Sequence, residues 1–386
     1  MNAEDFKNSP AGKLSPTIDK CVAFIPNPLP PSKIDLTRLI TPLAEAMHAV
    51  GELSGMGRNV PNPDLLIRPF SRAEAVASSK IEGTVTSTPE LLMLELSPDD
   101  AVASSNTREV HNYNKALRYG LQRIEQLPLS KRLLNELHVI LLTGVSQDRG
   151  AKLIPGELRK DQNWIGSRKI ENARYVPPPP NYVLDLLDDF EKFAHRDDET
   201  LPVLIKLALM HYQFEAIHPY PDGNGRVGRL IIPLVLCEQK AMAQPLLYMS
   251  SYFEKNYDTY IDLMYEVSKS GVWEQWIEFF LVGVTASARI AMKKVRSLQT
   301  LNENYMKRLQ SARSSALLAK IVNSLFEIPA TTIPYTKDEL KVSYNSAKNN
   351  INKLVDLKIL NQDSENKRPQ WFFAYEILSI ARVDEE

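Results

Sequence analysis

A histidine, a carboxylate, an amide, three glycines and two arginines fall in one run, His218-Pro219-Tyr220-Pro221-Asp222-Gly223-Asn224-Gly225-Arg226-Val227-Gly228-Arg229. Folding alone seldom calls for that mixture. The apolar stretches on either side, Leu201 to Ile217 and Val227 to Lys240, read as helices, so the polar cluster forms a tight loop that feeds a helix N-terminus. Glycines at 223 and 225 free backbone N–H groups to point inward, and the helix dipole adds partial positive charge where an anion would sit. Arg226 and Arg229, spaced i, i+3, share a helical face, and both guanidiniums can reach one polyphosphate. A Gly-x-Gly turn between helices is by itself a common connector. Here the surrounding chemistry is fixed as well.

The run resembles the signature of the Fic family, His-x-Phe-x-Asp/Glu-Gly-Asn-Gly-Arg-x-x-Arg, with Tyr220 in place of Phe. The resemblance implies a nucleotidyltransferase that moves AMP from ATP to a Ser, Thr or Tyr hydroxyl of target proteins and of itself. On that likeness His218 is the general base and Asp222 holds Mg2+ between the phosphates. Asn224, with the backbone around Gly223 and Gly225, cradles the α-phosphate; Arg226 takes the β- and Arg229 the γ-phosphate. Val227 and Gly228 complete the ATP-binding segment. A histidine that titrates near neutrality suits removal of a hydroxyl proton, and such transfer depends on positioning and charge neutralisation.

Far upstream, the Ala-rich helix predicted over Arg72 to Glu82 stops at Gly83, a common helix end. Within it, Ser78-Ser79-Lys80-Ile81-Glu82-Gly83 is similar to the inhibitory Ser-x-x-x-Glu-Gly motif of the same family. The likeness implies that Glu82 pairs with Arg229 in place of the γ-phosphate and misaligns ATP, with Ser78, one turn earlier, supporting the carboxylate. It also implies an enzyme that can remove AMP, with a carboxylate orienting water.

Two further segments are candidates for substrate contact. Extended pieces around Asn163 to Ser167 and Tyr175-Val176, ended by Pro177 to Pro180, suggest a β-hairpin. In the family resembled, a hairpin flap aligns the target peptide by strand pairing, which makes Ile165, Tyr175 and Val176 the expected clamp. Tyr248 to Tyr260 is rich in aromatic and polar residues, and Tyr257, Tyr260 and Asn256 are the expected adenine contacts. His48, His111, His138, His195 and His211 show no metal-ligand spacing.

These segments need a scaffold, and the rest of the chain supplies an ordinary one. Its 386 residues are 44% hydrophobic with a formal net charge of -1, enough for real cores and without overall attraction to nucleic acid. Cys21 and Cys237 imply no disulfide framework. The longest apolar run, Leu230 to Cys237, is short and contains Pro233, so no membrane partner is expected. Met1 to Asp35 lacks the apolar core of a signal peptide, so a cytoplasmic protein is expected. The expected fold is mainly α: an N-terminal helical region carrying the inhibitory motif (1–107), an all-helical catalytic core with a small hairpin flap (108–297), and a region resembling a winged helix-turn-helix (298–386). In that last region Ser314 to Phe326, Thr336 to Lys341 and Asn345 to Leu357 read as helices, and Ile359-Leu360 and Trp371 to Ala374 as strands. Its expected partner is a protein target or a second copy of the chain. The alternative is a DNA-binding regulator with a nucleotide-sensing Fic domain, which would read duplex through Lys348, Asn349, Asn350, Lys353, Lys367 and Arg368.

Overall fold

The computed structural model describes residues 1–58, 64–97, 104–145, 154–196, 201–312, 316–363 and 369–381. Lys367 and Arg368 lie outside the described residues. Two short strands, β1 (Gly12–Pro16) and β2 (Val22–Pro26), open the chain as an antiparallel hairpin in which Leu14 faces Phe24. Pro16 and Pro26 close the ends of these strands, where a missing N–H is tolerated.

Helices then dominate: α1 (Leu36–Arg58), α2 (Asp64–Ile81), α3 (Thr88–Leu96), α4 (Ser105–Arg123), α5 (Lys131–Leu142), α6 (Pro180–Ala194), α7 (Val203–Ile217), α8 (Asn224–Glu238), α9 (Ser250–Lys255), α10 (Tyr257–Ser270) and α11 (Trp273–Ser311). Serines 87, 104 and 130 accept hydrogen bonds from backbone amides at the starts of α3, α4 and α5, which supplies partners the first helical turn cannot provide itself. Helices α7 and α8 are buried on nearly every face, from Leu204 to Phe214 and from Val227 to Leu236, and form the centre of the main core. That is why both read as continuous apolar stretches rather than amphipathic ones.

α11 is one 39-residue helix running through residue 298. Beyond it come α12 (Ala316–Glu327), β3 (Ala330–Thr332), α13 (Ile333–Leu340), α14 (Tyr344–Asp356), β4 (Asn361–Gln362), β5 (Trp371–Phe373) and α15 (Tyr375–Ala381), with β5 in the middle of an antiparallel sheet ordered β3-β5-β4. The strand expected at Ile359-Leu360 lies instead at Asn361–Gln362; Ile359 and Leu360 are core residues. Where a flap hairpin was expected, the described residues hold one antiparallel bridge, Ile165 to Tyr175, around a 3-10 turn at Ile170–Asn172. The N-terminal hairpin braces this segment: Phe24 N–H donates to the Val176 carbonyl at 2.9 Å, and its ring packs against Tyr175 and Phe6. Among the described residues no helix is long and apolar enough to cross a membrane.

Candidate active site

His218 ends α7 with φ 50° and ψ 60°, a left-handed conformation that is uncommon and strained for a residue with a Cβ. The surrounding structure holds it there. The Arg159 backbone N–H donates to the Pro219 carbonyl at 3.0 Å. Its Nε donates to the His218 carbonyl at 2.8 Å and its Nη2 to the Ile217 carbonyl at 3.3 Å, with the Pro178 carbonyl as a further acceptor. One buried guanidinium thus satisfies carbonyls that the end of α7 leaves open. Burial lowers the Arg159 pKa to about 10. No spacing or motif marks Arg159 in the sequence; only tertiary placement reveals it.

The next turn is pinned by Asn224, whose side-chain oxygen accepts from the Tyr220 N–H and whose amide donates to the Tyr220 carbonyl, both at 2.8 Å. Its side chain therefore closes the loop. The Tyr220 ring stacks on His138 at 3.9 Å between centroids, and its hydroxyl donates to Asn135 at 2.8 Å. His138 Nδ1 accepts from the Gly156 N–H at 2.8 Å, so Nε2 carries the proton and donates to the Asp222 carbonyl at 3.0 Å. Burial, which lowers the His138 pKa to about 4, keeps that tautomer neutral. Gly223, at φ 81°, turns the chain into α8, and its N–H donates to Asp222 Oδ1 at 2.6 Å.

The two arginines of α8 point into the protein. Arg226, fully buried, donates to Glu109 Oε2 at 2.7 Å and approaches Asp222 Oδ1 at 3.4 Å, while its Nε has no partner among the described residues. Arg229, 2% exposed, donates from Nε to the Ser78 hydroxyl at 2.8 Å and from Nη2 to the Ser78 carbonyl at 2.8 Å and Glu82 Oε1 at 2.7 Å. Ser78 thus touches Arg229, not Glu82, which the sequence suggested as its partner. Burial alone would raise the Glu82 carboxyl; the Arg229 guanidinium outweighs it and holds the group below the ordinary carboxylate range. Gly225 permits the contact, since a Cβ there would lie 2.2 Å from Glu82 Oε1. Gly83, at φ 79°, turns the chain just past α2.

A cavity of about 180 Å³ opens beside this pair, with His218, Glu82, Gly225, Arg229, Tyr257 and Tyr260 in its wall. Ile165 and Tyr175 also line it; Val176 and Asn256 do not. Tyr257 is 42% exposed at the cavity. Tyr260 is buried, bonds His211 Nε2 at 2.8 Å and stacks on Phe253. Asn256 donates to the Tyr252 carbonyl at 2.9 Å. The Ile165 and Tyr175 backbones bond each other, and the Tyr175 hydroxyl donates to the Ala216 carbonyl at 3.1 Å, so that side chain anchors the end of α7. Val227 is core, packed beneath the loop.

Sequence reasoning missed Glu215, one turn before His218 and in the same wall. Its Oε1 is buried with no partner among the described residues, and a Cβ at Gly228 would lie 2.2 Å from it. Burial pushes the Glu215 carboxyl up to about 8, whereas burial and then Arg159 lower the His218 pKa to about 4. At neutral pH the cavity therefore holds an uncharged imidazole and a protonated carboxyl. No group of three or more His, Cys, Asp or Glu that could hold a metal occurs among the described residues, so Asp222 would need substrate oxygens to bind one.

Residues 40–122 match the model described as the Fic/DOC family N-terminal region, and residues 128–236 the Fic/DOC family model. Over 69 residues the chain is 42% identical to a probable protein adenylyltransferase of Aquifex aeolicus, covering 18% of this chain and 21% of that one. Over 161 residues it is 27% identical to the protein adenylyltransferase Fic of Drosophila melanogaster, covering 40% and 30% respectively. The chain thus spans under a third of these curated relatives. A Fic family protein from Desulfovibrio desulfuricans G20 shares the fold over 90% of this chain and 98% of its own, at TM-score 0.56 and 17% identity. Fic-1 of C. elegans does so over 68% and 75%, at TM-score 0.52 and 19% identity.

The titration of Glu215 sets a test of the site's electrostatics. Between the ordinary carboxyl value of 4.5 and about 8 the unfolded chain ionises this group and the folded chain does not, so it subtracts stability as pH rises through that window. Glu215→Gln removes the loss. The melting temperature of the variant relative to the parent should therefore climb by about 2 °C or more across the window. A difference independent of pH would show that Glu215 titrates normally.

Proposed function

We propose that this chain, which belongs to the Fic/DOC family, is a protein adenylyltransferase that moves AMP from ATP to a hydroxyl of a target protein and of itself, restrained by Glu82. The observation that carries this is the Glu82–Arg229 pair beside His218 in one cavity. A buried arginine needs acceptors, and the Glu82 carboxylate takes the place where a nucleotide's terminal phosphate would otherwise serve. ATP bound in its presence is turned out of line for attack. With Glu82 displaced, the acceptor oxygen bonds the α-phosphorus, pyrophosphate leaves, and the hydroxyl proton passes to the neutral His218 ring.

Asp222 would hold Mg2+ together with phosphate oxygens, and the ion would supply charge neutralisation between the phosphates. The loop's backbone N–H groups and the start of α8 would receive the α-phosphate, while Arg226 would share its charge between Glu109 and the β-phosphate. The Tyr257 face suits a stacked adenine. Glu82 can also orient water for removal of AMP from a modified target.

The order of helices and strands from α12 to α15 supports a winged-helix reading of 298–386, serving as a dock for the target or a second copy of the chain. Lys348, Asn349 and Lys353 are exposed on α14, whereas Asn350 is buried and donates to the Ser346 carbonyl. The chain's formal net charge of -1 offers no overall attraction to DNA, and the protein-docking reading is preferred.

His218→Ala should abolish transfer and leave ATP affinity nearly unchanged, because the base acts on the transition state more than on the ground state. Labelling with radioactive ATP alongside nucleotide titration checks this; retained labelling removes His218 from the base role. Glu82→Gly should raise self-labelling while lowering stability by about 1–3 kcal/mol. If the variant melts lower but labels no faster, Glu82 is scaffold only.

A further inference from the structure

The segment that follows Glu82 is stitched to the first turns of α4 at three successive residues. The Thr84 hydroxyl donates to Glu109 Oε2 at 2.9 Å, the Val85 carbonyl accepts from the Asn106 side-chain amide at 3.2 Å, and the Thr86 and Thr107 hydroxyls meet at 2.8 Å. The first of these bonds is sealed from water, since Thr84 is 1% and Glu109 4% exposed. The same Glu109 oxygen receives Arg226 at 2.7 Å. Glu82 is thus moored to Arg229 directly and, two residues on, through Thr84 and Glu109 to Arg226.

The second mooring matters because Glu82 stands just past the end of α2, at Ile81, and its side chain is 31% exposed. Gly83 after it is exposed, and a Cβ there would meet nothing within 4 Å, so packing at residue 83 does not hold the turn. Helix ends fray. A carboxylate on such an end stays with its partner only as well as the chain beyond it is fixed, and two residues span at most about 7 Å. We infer that Thr84 is a positioning residue of the restraint: its bond to Glu109 keeps Glu82 on Arg229. The inference rests on the proposed restraining role of Glu82. A hydroxyl bonded to a carboxylate away from water is one of the stronger hydrogen bonds, and valine keeps the branched shape while removing the donor.

The test measures self-labelling with radioactive ATP for Thr84→Val, alone and combined with Glu82→Gly, and amide hydrogen exchange over residues 82–84 by mass spectrometry. Thr84→Val should label itself about tenfold faster than the parent, while Thr84→Ser, which keeps the hydroxyl, should match the parent. Added to Glu82→Gly, Thr84→Val should change the rate by less than about twofold, because it acts through Glu82. Exchange over 82–84 should quicken about tenfold, a reading that needs no AMP transfer. Thr84→Ala removes the same donor with less bulk and should give the same readings if valine lowers the melting temperature. Glu82→Gly labelling faster while Thr84→Val and Thr84→Ala stay at the parent rate, or exchange unchanged in both, would overturn the inference and leave the proposed function standing. Equal acceleration with and without Glu82 would place Thr84 in the transfer steps and overturn it as well. Glu82→Gly labelling no faster would remove the restraint itself, and this inference with it.

Discussion

A buried guanidinium needs acceptors for its N–H groups, and α8 carries two that meet them on carboxylates. Arg226 and Arg229 point inward from the first turns of a helix that is itself the centre of the core, so their charges must be met by carboxylates from other elements. Glu109 of α4 and Glu82 at the end of α2 meet them. The pairing fixes where those elements lie relative to the His218 loop. On the proposed function the Glu82 contact is the exchangeable one, a phosphate taking the carboxylate's place on Arg229. Arg226 sits deeper and shares its partner with Thr84, whose hydroxyl donates to the same Glu109 oxygen at 2.9 Å; that pair is the fixed one.

The loop is shaped before any ligand arrives. A left-handed histidine, a loop closed on itself by Asn224 and a tyrosine clamped between His138 and Asn135 fix the shape of the turn. Arg159 and Tyr175 tie it to the bridge segment, which the N-terminal hairpin braces in turn through Phe24. Such fixed geometry suits the proposed transfer, since little reorganisation would remain to be done in the transition state.

The helices around the loop, the loop's composition and the Glu82 partnership with Arg229 were legible because they rest on local pattern or on a motif with few other uses. What the sequence hid has a common cause. Arg159 and His138 take their roles from contacts made across tens of residues, and Glu215 from its burial; no periodicity encodes either. The family likeness gives Asn224 to the α-phosphate, while its bonds to the Tyr220 backbone come from the fold alone. Ser78 was assigned to the nearest carboxylate in sequence; the fold placed an arginine closer.

Structures of the parent chain and of Glu82→Gly, each with ATP bound, test the central claim most directly, by the distance from Arg229 to the terminal phosphate. The account predicts that Arg229 stays with Glu82 in the parent and the triphosphate is diverted, whereas in the variant Arg229 binds the γ-phosphate and the α-phosphorus faces the acceptor side near His218. A triphosphate in the same place in both structures would contradict it.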